Sequence, residues 1–177
     1  MKESEAKRFS EFLNERKVRM GASAGDVADL FLYWAAREGD VITNLKMQKL
    51  LYYAQAWHLV HFGHPLFRDD IEAWEYGPVV PAIYRKYKVH GNQPIPCDGN
   101  LEKLEKKGTT IEALFSTNQL EYLRELYSQF NAYTAHQLAN MTHVEDPWKN
   151  TFRRGGSFVI NPETMRKYYQ KVLAESR

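Results

Sequence analysis

Residues Leu45 to Phe62 read as one helix with apolar side chains on most of its sides: Met47, Leu50, Leu51, Tyr52, Tyr53, Ala54, Trp57, Leu59 and Val60. A water-exposed chain accommodates such a helix by packing other elements around it, so it belongs at the centre of a core. Thr43 or Asn44 is positioned to cap its start, since either side chain can accept from an orphaned N–H of the first turn. Gly63 and Pro65 end it. The rest of the sequence must therefore supply elements with one apolar face to wrap around it.

It does so. Val27, Leu30, Phe31, Trp34 and Ala35 form one stripe of a helix predicted over Ala24–Glu38 and stopped by Gly39. Ser116-Thr-Asn-Gln119 is a capping box that opens a helix through Phe130, with Leu120, Leu123, Tyr127 and Phe130 inward. Thr134-Ala-His-Gln137 repeats the device before a short helix ending near Thr142. Pro81 starts another short helix carrying Ile83, Tyr84 and Tyr87. Asn161-Pro162-Glu163 starts the last helix, which presents Met165, Tyr168, Tyr169, Val172 and Leu173.

Short strands are expected near residues 71–76, 94–97 and 157–160, with a turn at Gly77-Pro78. Gly91 to Thr110 reads as a Gly/Pro/charge-rich connection whose Leu101–Lys107 run is a solvated face. Met1 to Met20 form a charged amphipathic stretch, with Phe9, Phe12 and Leu13 on one helical face. The fold class that follows is mainly α: a single helical domain over residues 21–177, a small β element, and an appended helix at 1–20.

Composition narrows the function classes. In 177 residues, 24 Lys and Arg face 22 Asp and Glu, a net charge of +2 that gives no general electrostatic case for nucleic acid. The single cysteine, Cys97, excludes an internal disulfide and a cysteine-based zinc cluster. No apolar run approaches the roughly 18 residues of a membrane span, and the first residues lack the apolar segment of a secretory signal. A cytoplasmic protein without membrane contact is expected. Aromatic residues make up 14% of the chain, so where they sit decides between core and contact surface.

Three constellations could carry chemistry. His58 and His61 lie one helical turn apart, with His64, Asp69 and Asp70 near in sequence, and could share a metal ion. The competing reading places those imidazoles on the free carbonyls of a helix C-terminus. His143-Val-Glu-Asp-Pro-Trp148 sets a histidine beside two carboxylates, a possible acid–base pair or simply a rigid helix-ending turn with Trp148 as a plug. Tyr84-Arg-Lys-Tyr-Lys-Val-His90 interleaves aromatic and basic residues, suited to a protein partner or, less well, to phosphates and bases. No nucleophile setting or phosphate-cradling glycine loop accompanies them, so no catalytic residue, metal ligand or cofactor is assigned.

Leu45-Lys-Met-Gln-Lys-Leu-Leu-Tyr-Tyr-Ala-Gln-Ala-Trp-His-Leu59, Gly63-His-Pro-Leu-Phe67, Ile71-Glu-Ala-Trp-Glu-Tyr-Gly-Pro-Val79 and His143-Val-Glu-Asp-Pro-Trp148 together resemble the Panacea domain. That domain occurs in SocA-like antitoxins and phage-associated GepA proteins. The likeness runs in order from about Gly25 to Leu173, with Met47 where a leucine is more usual and residues 1–20 outside it. The resemblance implies an antitoxin that binds a cognate toxin directly, and in one branch an adaptor that delivers the toxin to a ClpXP-type protease. It implies no catalytic centre. The residues expected to contact the partner are Trp74, Tyr76, Tyr84, Arg85 and Tyr87, while Leu50, Leu51, Trp57 and Trp148 belong to the scaffold. The alternatives are a metal-dependent enzyme built on His58 and His61, or a nucleic-acid-binding autoregulator.

Overall fold

The computed structural model describes residues 21–97 and 101–176. The amphipathic stretch at 1–20 lies outside the described residues. Eight α-helices occur among them, in the order α1 (Ala24–Glu38), α2 (Asn44–Phe62), α3 (Pro81–Tyr87), α4 (Leu101–Glu112), α5 (Thr117–Asn131), α6 (Ala135–Val144), α7 (Asp146–Lys149) and α8 (Pro162–Glu175). Strands β1 (Glu72–Trp74) and β2 (Gly77–Val79) lie between α2 and α3, and β3 (Phe158–Val159) precedes α8.

Helix α2 is the axis. Residues Leu50 to Ala54 are all buried, and α1, α3, α5, α6, α8 and β2 pack around it. The Thr43 hydroxyl caps its first turn by accepting from Lys46 N, and Gly63 closes it at φ 74°, a left-handed conformation that glycine adopts without a Cβ penalty. Capping boxes at Ser23, Ser116 and Thr134 fix the starts of α1, α5 and α6. Where α1 meets α5, Phe31, Trp34 and Tyr127 pack as a trio with ring centroids 5.5–6.0 Å apart.

The three strands form one antiparallel sheet in the order β2-β1-β3. Two local expectations change. Gly77-Pro78 is strand rather than turn: Pro78 pairs with Ala73 and Gly77 with Trp74, so the reversal falls on Glu75-Tyr76. Proline is tolerated there because β2 is an edge strand. Segment 94–97 contributes a single bridge, Pro94 to Thr43, instead of a strand.

The larger correction is α4. The charged run read as a connection forms three helical turns, and Gly108 lets it lie directly on the Tyr33 ring of α1, where any Cβ would collide. Lys107 also reaches Asp29 at 3.0 Å. The exposed side chains of Lys103, Glu105, Lys106 and Lys107 still make it a solvated face. The connection reading failed because the helix has few apolar residues of its own: Leu104 and Ile111 supply the packing, and a glycine supplies the close approach.

Candidate interaction face

Four polar side chains on α2, Asn44, Gln48, Lys49 and Gln55, are buried, and each is bonded to backbone or to a neighbour. Asn44 Nδ2 donates to Tyr84 O at 3.1 Å, and Gln48 Nε2 donates to Asn44 Oδ1 at 2.8 Å. Val80 N donates to Gln48 Oε1 at 2.9 Å, and Lys49 Nζ donates to Pro78 O at 2.9 Å. Gln55 Oε1 accepts from Leu66 N at 2.8 Å, while its amide donates to Phe67 O at 2.8 Å. A three-residue strand followed by a short helix leaves backbone groups that no ladder satisfies, and a buried group left unpaired is costly. The central helix satisfies them, and in doing so fixes the path from Pro78 to Tyr84.

The corner between α6 and α7 holds the same hairpin from its other side. Trp148 Nε1 donates to Trp74 O at 2.8 Å, and the Trp148 ring is sandwiched between His143 and Phe152, with centroids 4.3 and 4.7 Å away. Gly77, at φ 99°, sits so close to α2 and α6 that a Cβ would lie 2.6 Å from both Lys49 Nζ and Thr142 Oγ1. Glu145, which separates the two helices, turns inward and accepts from Tyr53 at 3.0 Å and Tyr169 at 2.6 Å, tying α8 to α2. The blocks Met47–Gln55, Trp74–Val79 and His143–Trp148, far apart in sequence, therefore meet at one place.

What they hold outward is aromatic. Tyr76 at the turn is 68% exposed and Tyr84 on α3 is 36% exposed. Trp74, at the end of β1, is half-buried, its ring 5.0 Å from that of Tyr84 and its Nε1 donating to Glu72 Oε2 at 2.8 Å. Arg85 is exposed beside Tyr84. Tyr87 differs from the other four. Only 6% exposed, it packs in the core and its hydroxyl donates to Asp29 at 3.2 Å. Burial pushes the Asp29 carboxyl up, but Lys107 and Lys86 beside it hold it below its ordinary value. Lys86 is paired with Asp29 at 3.2 Å.

Two buried groups carry most of the site's electrostatic tension. Burial alone drives Lys49 down to about 7. Burial raises Glu145 to about 7, against the Tyr169 and Tyr53 hydroxyls that favour its charged form. Glu145 was read from the sequence only as a carboxylate beside His143, and Lys49 was not singled out. The signal was present nonetheless: a lysine and two glutamines on a helix apolar around most of its circumference have to be buried and partnered.

The other two constellations come apart in space. His58 is buried with both ring nitrogens engaged, Nδ1 with His64 O at 2.8 Å and Nε2 with the Gln119 amide at 3.1 Å, while His61 packs against Trp57 and Tyr122. Among the described residues no group of three His, Cys, Asp or Glu side chains could hold a metal ion. His143 stacks on Trp148 while Glu145 points into its tyrosines, so the two do not form an acid–base pair.

Comparison with known proteins agrees with this convergence. The family model for the antitoxin SocA-like Panacea domain matches residues 47–149, which is more than half of the chain and spans all three blocks. The chain belongs to the SocA-like Panacea family. Antitoxin SocA of Caulobacter vibrioides is 46% identical over 65 residues, which is 37% of this chain and 35% of that protein. The match thus spans about a third of that relative's length. No solved structure matches. No helix among the described residues is long and apolar enough to cross a membrane.

Proposed function

We propose that this Panacea-family chain is an antitoxin that neutralises a cognate toxin by binding it directly through the hairpin face. The observation that carries the reading is the exposure of Tyr76, Tyr84 and Arg85 around the half-buried Trp74, on elements held by blocks that lie within the family match. Large amphipathic side chains on a pre-organised support give contact area at low entropic cost, and tyrosine, tryptophan and arginine dominate binding hot spots. Tyr87, buried and bonded to Asp29, is left out of this face. A surface of this kind requires no cofactor.

Co-expression tests the role. The small protein encoded beside this gene should arrest growth alone and be tolerated when the chain is present; equal growth arrest with and without the chain contradicts the antitoxin reading. The lifetime of that toxin separates the two modes of neutralisation. Occlusion leaves it unchanged, whereas delivery to a ClpXP-type protease shortens it only while the protease is active.

A further inference from the structure

The two edges of the sheet are built differently. Strand β2 is buried along its length, carries Pro78 and packs against α2 and α6. Strand β3 is the other edge, and both its residues stand in solvent: Phe158 is 48% exposed and Val159 49%. Edge strands are commonly blunted by a proline, a lysine or a covering element. Neither residue occurs in β3, and its main neighbour among the described residues is β1.

The register identifies the open backbone groups. Glu72 pairs with Val159 and Ala73 with Phe158, and Ile160 N donates to Ile71 O at 2.7 Å. In an antiparallel ladder, hydrogen-bonded and non-hydrogen-bonded pairs alternate. The Ile71–Ile160 and Ala73–Phe158 pairs are therefore of the bonded kind, and Glu72–Val159 between them is not. The N–H and C=O of Val159 accordingly point away from β1, at the free edge. Its side chain shares a sheet face with Glu72 and, two residues on, with Trp74, so the edge continues the proposed hairpin face.

Two further features bear on what this edge fits. The Phe158 ring lies against Gly156, where a Cβ would collide with it, so an apolar side chain is held in place at the edge. Arg153 and Arg154 are exposed on the turn leading into β3, which Gly156 N closes on Arg153 O at 3.1 Å. Arg153 donates to Asn150 O and Phe152 O, whereas Arg154 has no ion-pair partner among the described residues.

We propose that the β3 edge receives an extended segment of the toxin by strand addition, with an acidic residue of that segment at Arg154. The inference rests on the antitoxin reading and adds a backbone contact to the aromatic one. In the antiparallel arrangement one residue of the segment exchanges both hydrogen bonds with Val159, and an apolar neighbour covers Phe158. Because β3 runs away from Arg154, the acidic residue lies C-terminal to the one paired with Val159.

Binding of the small protein encoded beside this gene to the full-length chain tests this. Val159→Pro removes the outward N–H and no bond to β1, a change that edge strands tolerate. It should weaken binding by at least about tenfold, whereas Val159→Thr, which keeps the N–H, should weaken it by less than about threefold. Arg154→Glu should weaken it by at least about fivefold. In the wild type, amide hydrogen exchange at Val159 should slow by at least about tenfold in the complex, and this decides if Val159→Pro fails to fold. Full-strength binding by a folded Val159→Pro variant overturns strand addition, as does unchanged exchange at Val159. Full-strength binding by Arg154→Glu overturns the acidic identity of the segment. If the wild type itself does not bind, the antitoxin reading falls and this inference with it; the other negative results leave that reading standing.

Discussion

At the scale of single residues, the hairpin depends on a glycine and a lysine that share one small space. Gly77 combines a φ of 99° with no room for a methyl group between Lys49 Nζ and Thr142 Oγ1. Gly77→Ala therefore adds backbone strain to overpacking and should destabilise the fold by about 2–4 kcal/mol in chemical denaturation. Lys49 and Glu145 make stability depend on pH in opposite directions. Glu145 is raised from 4.5 to about 7 in the fold, so the native state keeps a proton the unfolded chain releases, and its contribution to stability is lost as pH rises from 4.5 through 7. Lys49 is lowered from 10.5 to about 7, so the native state releases a proton the unfolded chain keeps, and stability is regained as pH rises from 7 towards 10.5. Each pH unit inside either window is worth at most about 1.4 kcal/mol. Denaturation midpoints across this range should show the wild type weakest near neutrality, with Glu145→Gln flattening the acid limb and Lys49→Met the alkaline one.

At the scale of elements, the central helix and the α6–α7 corner do different work. Leu51 is fully buried in the middle of α2, so Leu51→Ala should cost about 2–5 kcal/mol of stability through lost contacts and a residual cavity. Trp57, assigned with it to the scaffold, is only partly buried and lines an apolar groove between α2 and α5, so its truncation should cost less. Trp148→Phe keeps most of the ring packing but removes the bond to Trp74 O; it should cost about 1–2 kcal/mol and speed amide hydrogen exchange at Trp74–Val79 before that of α2.

Much of this level was legible in the sequence, because periodicity and capping residues act locally. The ends of α1 and α2, the capping boxes at Ser116 and Thr134 and the Asn161-Pro162 start all lie where side-chain chemistry within four residues dictates. Helix α4 and strand β2 were not legible, because each exists through a distant partner. Tyr33 receives Gly108, and Lys49 and Thr142 receive Gly77. Likewise, nothing local distinguishes Tyr84 from Tyr87 on a seven-residue helix; the ring of Trp74 and the carboxylate of Asp29 separate them.

At the scale of the whole molecule, the aromatic content divides between two tasks. Phe31, Trp34, Tyr52, Tyr53, Tyr127 and Tyr169 build the core around α2, while Tyr76 and Trp74 at the hairpin and Tyr84 on α3 stay outside it. The family blocks are the struts between them. Motif residues such as Gln48, Lys49, Gly77, Glu145 and Trp148 touch one another or the backbone instead of facing outward, so they set where the exposed aromatics stand. On the proposed reading, variation in a partner can then be met by changing exposed side chains on an unchanged support.

The most direct measurement is the affinity of the full-length chain for the proposed toxin, for the wild type and for Tyr76→Ala/Tyr84→Ala/Arg85→Ala. Removing the three proposed contact residues at about 1–2 kcal/mol each should weaken binding by at least a hundredfold while the thermal midpoint stays at the wild-type value. Full-strength binding by a folded triple variant would place the partner elsewhere on the molecule and contradict the account.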